Sequence, residues 1–195
     1  MMISKLEKID NKIKKQLDEL RGIISRDSFQ VLTDFTLTKD GSNIDFDSLK
    51  EKIKENKTTK GIYLFQVYKD TNIPFEEWIK DFRKKFMGEN DDAFKNQWTS
   101  NISTNRYKKH DQAATEEMWV PLYIGKSKAI HKRVQTHIYG TLGRPPFALK
   151  LHERNTLNNM KFRVKYVPLP VVTYDNFANF LEKKLRRETK PLAGR

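Results

Sequence analysis

Hydrophobic residues recur at intervals of three and four over much of the chain, which is the spacing of one helix face. The clearest case begins at Ile3 and continues to Ile24, and the opposite face is made of Lys, Asp and Glu. A further helix begins after Pro74 and carries an aromatic stripe that we expect to be part of the core. Besides that helix, the sequence predicts helices over residues 3–24, 45–57, 128–139, 146–155 and 175–191.

Runs rich in β-branched and aromatic residues predict strands between these helices. Residues 61–68, GIYLFQVY, are typical of a buried strand, and residues 160–169 alternate apolar with basic side chains. Another strand is predicted at 121–125, and one or two short strands surround the turn at 39–43. Residues 88–117 are polar and weakly periodic, so we expect a long surface loop there. These elements indicate an α/β or α+β domain.

The composition is polar but typical of a folded protein, since 37% of the 195 residues are hydrophobic and 11% are aromatic. No apolar run is long enough to cross a membrane, and the N-terminus has no stretch typical of a signal peptide. The absence of cysteine excludes disulfides and thiolate metal sites. We therefore expect a cytoplasmic protein that has no membrane partner.

The net charge of +13 is concentrated in the C-terminal part of the chain. Residues 121–195 hold 16 Lys and Arg against four Asp and Glu, whereas residues 1–120 are almost balanced. Such an excess repels itself unless a polyanion relieves it, so we expect a nucleic acid as partner. On charge alone, an acidic protein or a membrane surface stays open as an alternative.

The acids in this basic part are too few for several hydrolase sites. Its four carboxylates do not form the cluster that a two-metal nuclease needs. The chain has neither an HExxH pair nor a Gly-rich phosphate loop, which argues against a zinc hydrolase and ATP-driven work. Glu182 borders an apolar helical stripe, where a carboxylate is either an ion-pair partner or a metal ligand. The kind of site that these residues still permit is one with a single metal ion, assisted by basic and tyrosine side chains.

Two short motifs and the residues that follow them point to a known family. Gly61-Ile62-Tyr63 begins one predicted strand, and Tyr123-Ile124-Gly125-Lys126-Ser127 covers the end of another. Arg133 follows in the next helix, His137 lies one turn further on, and Glu182 lies in the last helix. This set resembles the GIY-YIG nuclease superfamily over roughly the C-terminal two thirds of the chain.

The resemblance implies an α+β fold, in which helices flank a small central antiparallel sheet and the two tyrosines lie on adjacent strands. It implies that Tyr63 activates the attacking water and that Tyr123 supports it. Arg133 is implied to stabilise the phosphorane and the leaving group. His137 would relay a proton or position Tyr63.

The resemblance also implies a cation and several basic contacts. Glu182 would be the single protein ligand of one Mg²⁺ or Mn²⁺ ion. Lys126 or Lys128 would hold the phosphate or lower the pKa of a tyrosine, because a phenol with its usual pKa near ~10 needs cationic surroundings to act as a base. Contacts with DNA are expected from Lys128, Lys132, Lys108 and Lys109.

The chain departs from the family pattern in two places. Gly61 and Tyr123 are 62 residues apart, far more than the usual gap, so residues 70–118 are expected to be an insertion. Some restriction-enzyme members carry an insertion at this place, and they share the four-residue spacing of the Arg and the His. The second departure is Gly194, which stands where the family commonly has an asparagine that orients site groups.

These expectations divide the chain into an N-terminal helical extension, residues 1–57, and a nuclease domain, residues 58–195. The expected function is that of a metal-dependent DNA endonuclease, sequence-specific and restriction-like, acting on double-stranded DNA. A mobile-element or repair nuclease and a catalytically inactive DNA-binding module of the same fold are the alternatives. Cutting both strands with one site per chain favours a homodimer, formed through the N-terminal helix or the insertion. The alternative to dimerisation is that the N-terminal helix packs on the domain body.

Overall fold

The computed structural model describes residues 2–55, 58–70, 72–88, 98–102 and 118–194. Within these ranges the protein has four long antiparallel strands, one two-residue strand and five α-helices. The predicted α+β class and the antiparallel sheet are therefore confirmed.

The strands are β1 (Gln30–Thr38), β2 (Gly41–Ser42), β3 (Gly61–Tyr68), β4 (Trp119–Ser127) and β5 (Lys161–Pro168). The α-helices are α1 (Met2–Ile23), α2 (Phe46–Glu55), α3 (Phe75–Met87), α4 (Ile130–Tyr139) and α5 (Tyr174–Thr189). Two short 3₁₀ helices lie at Arg26–Ser28 and Asn155–Leu157. For those of these strands and α-helices whose first and last residues were predicted, the observed ends lie within two residues of the predicted ends.

The strand order is β2-β1-β5-β3-β4, and every neighbouring pair is antiparallel. β3 lies between β4 and β5 and is covered on both faces, which explains why its sequence is almost continuously apolar. In register, Tyr63 lies opposite Gly125 of β4 and Tyr166 of β5. The N-terminal part, predicted as a helical extension, also supplies β1 and β2 to this sheet. The predicted domain boundary stays a prediction.

Two hydrophobic cores cover the two faces of the sheet. On the face that carries Tyr63, here called the Tyr63 face, alternate residues of β3 such as Phe65 and Val67 pack with α2, α3 and α4. The aromatic stripe of α3 is buried in this core, as predicted. On the opposite face, here called the Ile62 face, Ile62 and Leu64 pack with α5. Alternation along β3 thus decides which helices each of its side chains meets.

Residues 146–155 do not form the predicted α-helix. Two consecutive prolines open the segment, and Lys150 has a φ of 55°, a left-handed conformation that does not continue a helix. The backbone instead crosses the C-terminal end of α4, where the amides of Leu151 and His152 donate to carbonyls of that helix. The four consecutive residues 148–151 are all buried, so burial in this turning segment does not follow the period of a helix, and the prediction failed for that reason.

Other parts of the chain cover the outer edge of β4. The amides of Leu192 and Ala193 donate to the carbonyls of Pro121 and Leu122, at 3.0 and 2.8 Å. Ile102 forms an isolated bridge with Ala193. The C-terminal segment therefore runs along β4 close to the position of the second motif.

The N-terminal half of α1 carries an exposed hydrophobic face. Ile3, Leu6, Ile9 and Ile13 are each about half exposed or more, so they do not pack on the domain. The chain returns to the domain after this helix, where Lys184 of α5 donates to the carbonyl of Ile24. Among the described residues, none of the helices combines the length and the hydropathy that a membrane span requires.

Candidate active site

The glycines of the two motifs are fixed by close packing. Tyr63 is almost fully buried on the Tyr63 face, and its ring occupies the space in front of Gly125. A Cβ at Gly125 would lie 2.4 Å from Oη of Tyr63 and 2.9 Å from Cε1 of Tyr123. At Gly61 a Cβ would lie 2.3 Å from the carbonyl oxygen of Val167. Both positions therefore need glycine so that the strands and the two tyrosines can approach each other.

Three rings form the centre of the site. The ring centroids of Tyr63 and Tyr123 are 6.2 Å apart and their planes differ by 27°. His137 of α4 packs against both tyrosines, with centroid distances of 5.4 Å to Tyr63 and 4.7 Å to Tyr123. The structure thus brings together the two tyrosines, on adjacent strands as the resemblance implies, and the predicted histidine.

The hydrogen bonds of His137 identify which of its nitrogens carries the proton. The backbone amide of Leu149 donates to Nδ1 over 3.0 Å, so Nδ1 must present a lone pair. Burial, together with the charge of Arg133, lowers the pKa of His137 well below its usual value, and the ring is neutral at pH 7. The proton of the neutral ring is therefore on Nε2, which donates to Oη of Tyr63 over 2.9 Å.

Arg133 gives the Tyr63 oxygen a second donor. Its Nε lies 3.3 Å from Oη of Tyr63, and its Nη2 donates to the carbonyl of Phe147. With two N–H groups on its oxygen, Tyr63 has both acceptor positions filled. In the described part of the chain, no protein acceptor is found for the hydroxyl proton of Tyr63. The side chain of Tyr63 is only about 1% exposed, so a bound molecule must displace part of its surroundings to reach that proton.

The surroundings of Tyr63 favour the neutral phenol. Burial raises its pKa well above the usual value, and the nearby Tyr123 acts in the same direction. Arg133 opposes this rise through its charge and its hydrogen bond. The carboxylate of Glu182 also acts to raise the pKa of Tyr63, as the smallest of these effects.

Glu182 reaches the site from the other side of the sheet. It lies on α5, which covers the Ile62 face, next to the end of the edge strand β4. Its Oε2 accepts from Lys126 over 2.7 Å and its Oε1 accepts from Arg186 over 2.6 Å. Arg186 also donates to the carbonyl of Ile124 over 3.3 Å. These contacts tie the second motif to the helix that carries the predicted metal ligand.

A divalent cation would find one carboxylate ligand here. The described residues contain no group of three or more His, Cys, Asp or Glu side chains that could hold a metal. This donor set does not fit a two-metal centre, but it fits one Mg²⁺ that keeps most of its waters. Binding through Oε2 of Glu182 requires Lys126 to turn away, and the Lys126 side chain is one-third exposed.

Two of the other predicted DNA contacts, Lys128 and Lys132, are exposed and do not belong to this buried centre. Lys128 forms an exposed ion pair with Asp175 over 2.7 Å, which contributes little to stability. Asp175 lies inside the first turn of α5. Lys132 is exposed on α4. Lys108 and Lys109 lie outside the described residues.

Two contributors to the candidate active site were not predicted from the sequence. The first is Arg186, whose four-residue spacing from Glu182 on one helix was the available signal. The second is the segment after α4, which supplies the Phe147 carbonyl to Arg133 and the Leu149 amide to His137. Backbone groups of an irregular segment leave no pattern in the sequence, and this segment was predicted to be a helix.

Gly194 lies at the end of the segment that runs along β4. The amide of the preceding residue, Ala193, donates to the carbonyl of Leu122, which is the neighbour of Tyr123 in β4. Its φ of 139° is a conformation that side chains disfavour. An asparagine at this position would therefore require a different backbone conformation.

Comparisons with known proteins add no relative to this description. The chain matches no family model, and no curated protein or solved structure is significantly similar to it. The likeness to GIY-YIG nucleases therefore rests on the motif residues and their arrangement.

Proposed function

We propose that this chain is a metal-dependent DNA endonuclease that hydrolyses phosphodiester bonds. The observation that carries the proposal is the state of Tyr63. Its oxygen accepts from Arg133 and His137, its proton has no protein acceptor among the described residues, and Lys126 of the second motif joins Glu182 over 2.7 Å. A buried phenol held in this way is costly for folding, and such groups are concentrated at functional sites.

Tyr63 acts through its remaining O–H bond. Because burial raises its pKa, the free protein holds a phenol at pH 7. As the phosphorane forms, Tyr63 gives its proton to one of the phosphorane's non-bridging oxygens, and the N–H groups of Arg133 and His137 stabilise the phenolate that this leaves, since hydrogen bonds to the charged form favour it. The phenolate then accepts a proton from the attacking water. His137 is a positioning residue in this scheme, because its own proton is committed to Tyr63.

Arg133 and Lys126 act on the phosphate. Arg133 keeps a guanidinium beside the attacking group, where it stabilises the charge that develops on the phosphorane. Glu182 would hold one Mg²⁺ or Mn²⁺, which would supply charge neutralisation at the phosphate. Lys126, displaced from Glu182, is then free to contact a phosphate oxygen. Lys128 and Lys132 on the exposed rim, with Lys108 and Lys109, hold the flanking DNA backbone.

A second candidate function is an inactive DNA-binding module of the same fold. One observation favours it: both oxygens of Glu182 are already neutralised by Lys126 and Arg186. In that case the carboxylate is a structural ion-pair partner and no cation binds.

Incubation of supercoiled plasmid with the protein and Mg²⁺ tests the proposal. Discrete fragments support a restriction-like enzyme, random nicking supports a mobile-element or repair type of nuclease, and salt-sensitive binding without cutting supports the inactive module. Glu182→Ala should abolish the Mg²⁺-dependent cutting and leave DNA affinity unchanged. The matched control is Glu188→Ala on the same helix, which removes only an ion pair with Lys184. Equal cutting by both variants would contradict the metal assignment.

A further inference from the structure

The Ile62 face of the sheet is only partly covered. α5 packs over Ile62 and Leu64 at one end of β3. At the other end the sheet carries aromatic and charged side chains, because Tyr68 of β3 pairs with Trp119 at the start of β4. A cleft of about 340 Å³ lies here, and we call it the Trp119 cleft. Its lining residues are Asp34, Phe35, Thr36, Asn43, Tyr68, Trp119, Lys161 and Phe162.

Cations and rings are arranged in a fixed row along this cleft. Tyr68 and Trp119 pack edge to face with centroids 5.4 Å apart. The guanidinium carbon of Arg163 lies 4.2 Å from the centroid of Trp119, and Nζ of Lys161 lies 5.7 Å from that of Tyr68. Asp34 holds Arg163 in place through two hydrogen bonds of 2.7 and 2.6 Å. The rings are therefore oriented by neighbours and not free to turn.

Polar groups next to the rings can meet the edge of a ligand. Oδ1 of Asn43 accepts from the amide of Thr36 over 3.0 Å, which holds the Asn43 side chain and turns its NH₂ group to the opposite side. The hydroxyl of Thr36 lines the same cleft. The volume is at the lower end of ligand sites, which are on the order of 300–1,000 Å³. A cleft of this volume can hold a single planar heterocycle.

We propose that the Trp119 cleft binds one unstacked base of a single-stranded nucleic acid segment, with Lys161 on the adjoining phosphate. Ring faces with flanking cations are the features that hold such strands, because every base has a π-face and every linkage is an anion. The strongly basic C-terminal part of the chain, which includes Lys161 and Arg163, favours a nucleic acid over an acidic peptide. The inference shares the nucleic acid partner of the proposed function but does not depend on cutting.

The cleft is separate from the candidate active site. Tyr63 and Tyr68 are five residues apart on β3 and point to opposite faces, so they are separated by roughly 17 Å along the strand. A nucleic acid strand that occupies both the Trp119 cleft and the candidate active site must pass around the edge of the sheet. The cleft therefore holds nucleic acid at a second location, away from the bond that is cut.

Binding in EDTA tests the proposal without any contribution from cleavage. The probe is a fluorescein-labelled twelve-residue oligothymidylate, compared with an oligomer of the same length that has abasic sites throughout. The wild-type protein should bind oligothymidylate about tenfold more tightly than the abasic oligomer, the effect expected of one stacked base. Trp119→Leu should remove this difference, and Trp119→Phe, which keeps a ring, should retain most of it.

A charge-matched pair separates the phosphate contact from general electrostatics. Lys161→Gln should weaken binding of both oligomers more than Lys80→Gln, because Lys80 is exposed on α3 at the opposite face of the sheet. Equal affinity of the wild type for both oligomers, or equal binding of poly-glutamate, would overturn the proposal. A protein that prefers oligothymidylate but never cuts plasmid would retain this inference and lose the proposed nuclease function.

Discussion

At the scale of the residue, the site depends on how the oxygen of Tyr63 is held. Two N–H donors from α4 fix this oxygen, and the amide of Leu149 fixes the donor state of His137. A buried tyrosine whose hydroxyl proton has no acceptor among the described residues is otherwise an expensive core residue. Its cost is understandable if the proton is used on a bound phosphodiester.

Gly125→Ala should disrupt the site more than it disrupts the fold. The added methyl would lie 2.4 Å from Oη of Tyr63, so the phenol must move away from Arg133 and His137. We expect a loss of about 1–3 kcal/mol in unfolding free energy, as for other overpacked cores. DNA cutting should fall below detection, measured in the plasmid assay.

Gly22→Ala is the matched control for this substitution. Nothing lies within 4 Å of a Cβ at Gly22, which is in the last turn of α1. The change should therefore leave cutting intact and raise the stability of the helix by up to ~1 kcal/mol. Equal activity of the two alanine variants would contradict the packing described for the tyrosines.

His137 should make stability depend on pH. Burial lowers its pKa in the folded state, so below about pH 6.5 the unfolded chain binds a proton that the folded chain does not. Unfolding free energy should fall as the pH drops through this window, by up to about 1.4 kcal/mol per pH unit. Urea unfolding at pH 7.5 and pH 5.0 measures it.

Replacing the histidine should remove this dependence. His137→Gln keeps a polar side chain of similar length but cannot be protonated, so its stability should change less between the two pH values. His152→Gln, which alters a partly buried histidine beside Tyr139, should retain the wild-type dependence. An unchanged dependence in His137→Gln would show that another group is responsible.

The sequence predicted the side chains of the site better than its backbone contacts. Tyr63, Tyr123, Arg133 and His137 come together because they belong to motifs with fixed spacing on two strands and a helix. The amide of Leu149 could not be predicted, since any residue type supplies an amide. Which face of a strand a side chain meets also depends on register, which the sequence alone does not give.

At the scale of the element, the irregular segment after α4 is the least predictable part and one of the most important. Arg154 is buried there, and burial lowers its pKa to about 9. It donates to the carbonyls of Phe86, Ser100 and Leu149, and its guanidinium lies 3.8 Å from the ring centroid of Phe86. A charged side chain thus connects α3, the chain near Ser100 and the segment that supports His137.

Arg154→Met should destabilise the protein strongly. Methionine fills much of the same space, but the three buried carbonyls lose their donor, and each unsatisfied group costs about 1–3 kcal/mol. We expect a loss of about 3 kcal/mol or more in unfolding free energy, measured by urea denaturation. Arg187→Met, on the exposed face of α5, is the control and should change stability little. Similar values for both variants would mean that the buried guanidinium is dispensable.

The regular elements followed their hydrophobic patterns closely. β3 could be predicted as a buried strand because its apolar run is almost continuous, and the aromatic stripe could be predicted as the buried face of α3 because burial on a helix repeats with its period. The helix predicted over residues 146–155 was wrong because the burial of these residues follows their contacts with α4 and not an internal period. A pattern of apolar residues in the sequence cannot show whether burial comes from the period of a regular element or from contacts with a neighbouring helix.

At the scale of the whole molecule, one catalytic group per chain must be reconciled with double-stranded DNA. We propose that α1 pairs with α1 of a second copy through its exposed apolar face. Two sites in one particle could then cut both strands.

Sedimentation velocity measures this assembly. The wild type should sediment as a dimer, and the double variant Leu6→Glu/Ile13→Glu should be a monomer, because the paired charges cannot be buried. The control Lys8→Glu/Lys12→Glu changes charge on the same helix outside the apolar face and should remain dimeric. A monomeric wild type, or a dimeric double variant, would rule out pairing through α1.

The most direct test of the nuclease proposal is the single-turnover rate of DNA cutting by Tyr63→Phe in Mg²⁺. Phenylalanine keeps the packing against Tyr123 and His137 and removes only the hydroxyl. We predict a loss of roughly 10²–10⁴-fold in rate with unchanged DNA affinity, the usual effect of removing a general acid or base. Tyr166→Phe, which removes a hydroxyl from the neighbouring strand β5, should cut at the wild-type rate. Cutting by Tyr63→Phe at the wild-type rate would contradict the role assigned to Tyr63.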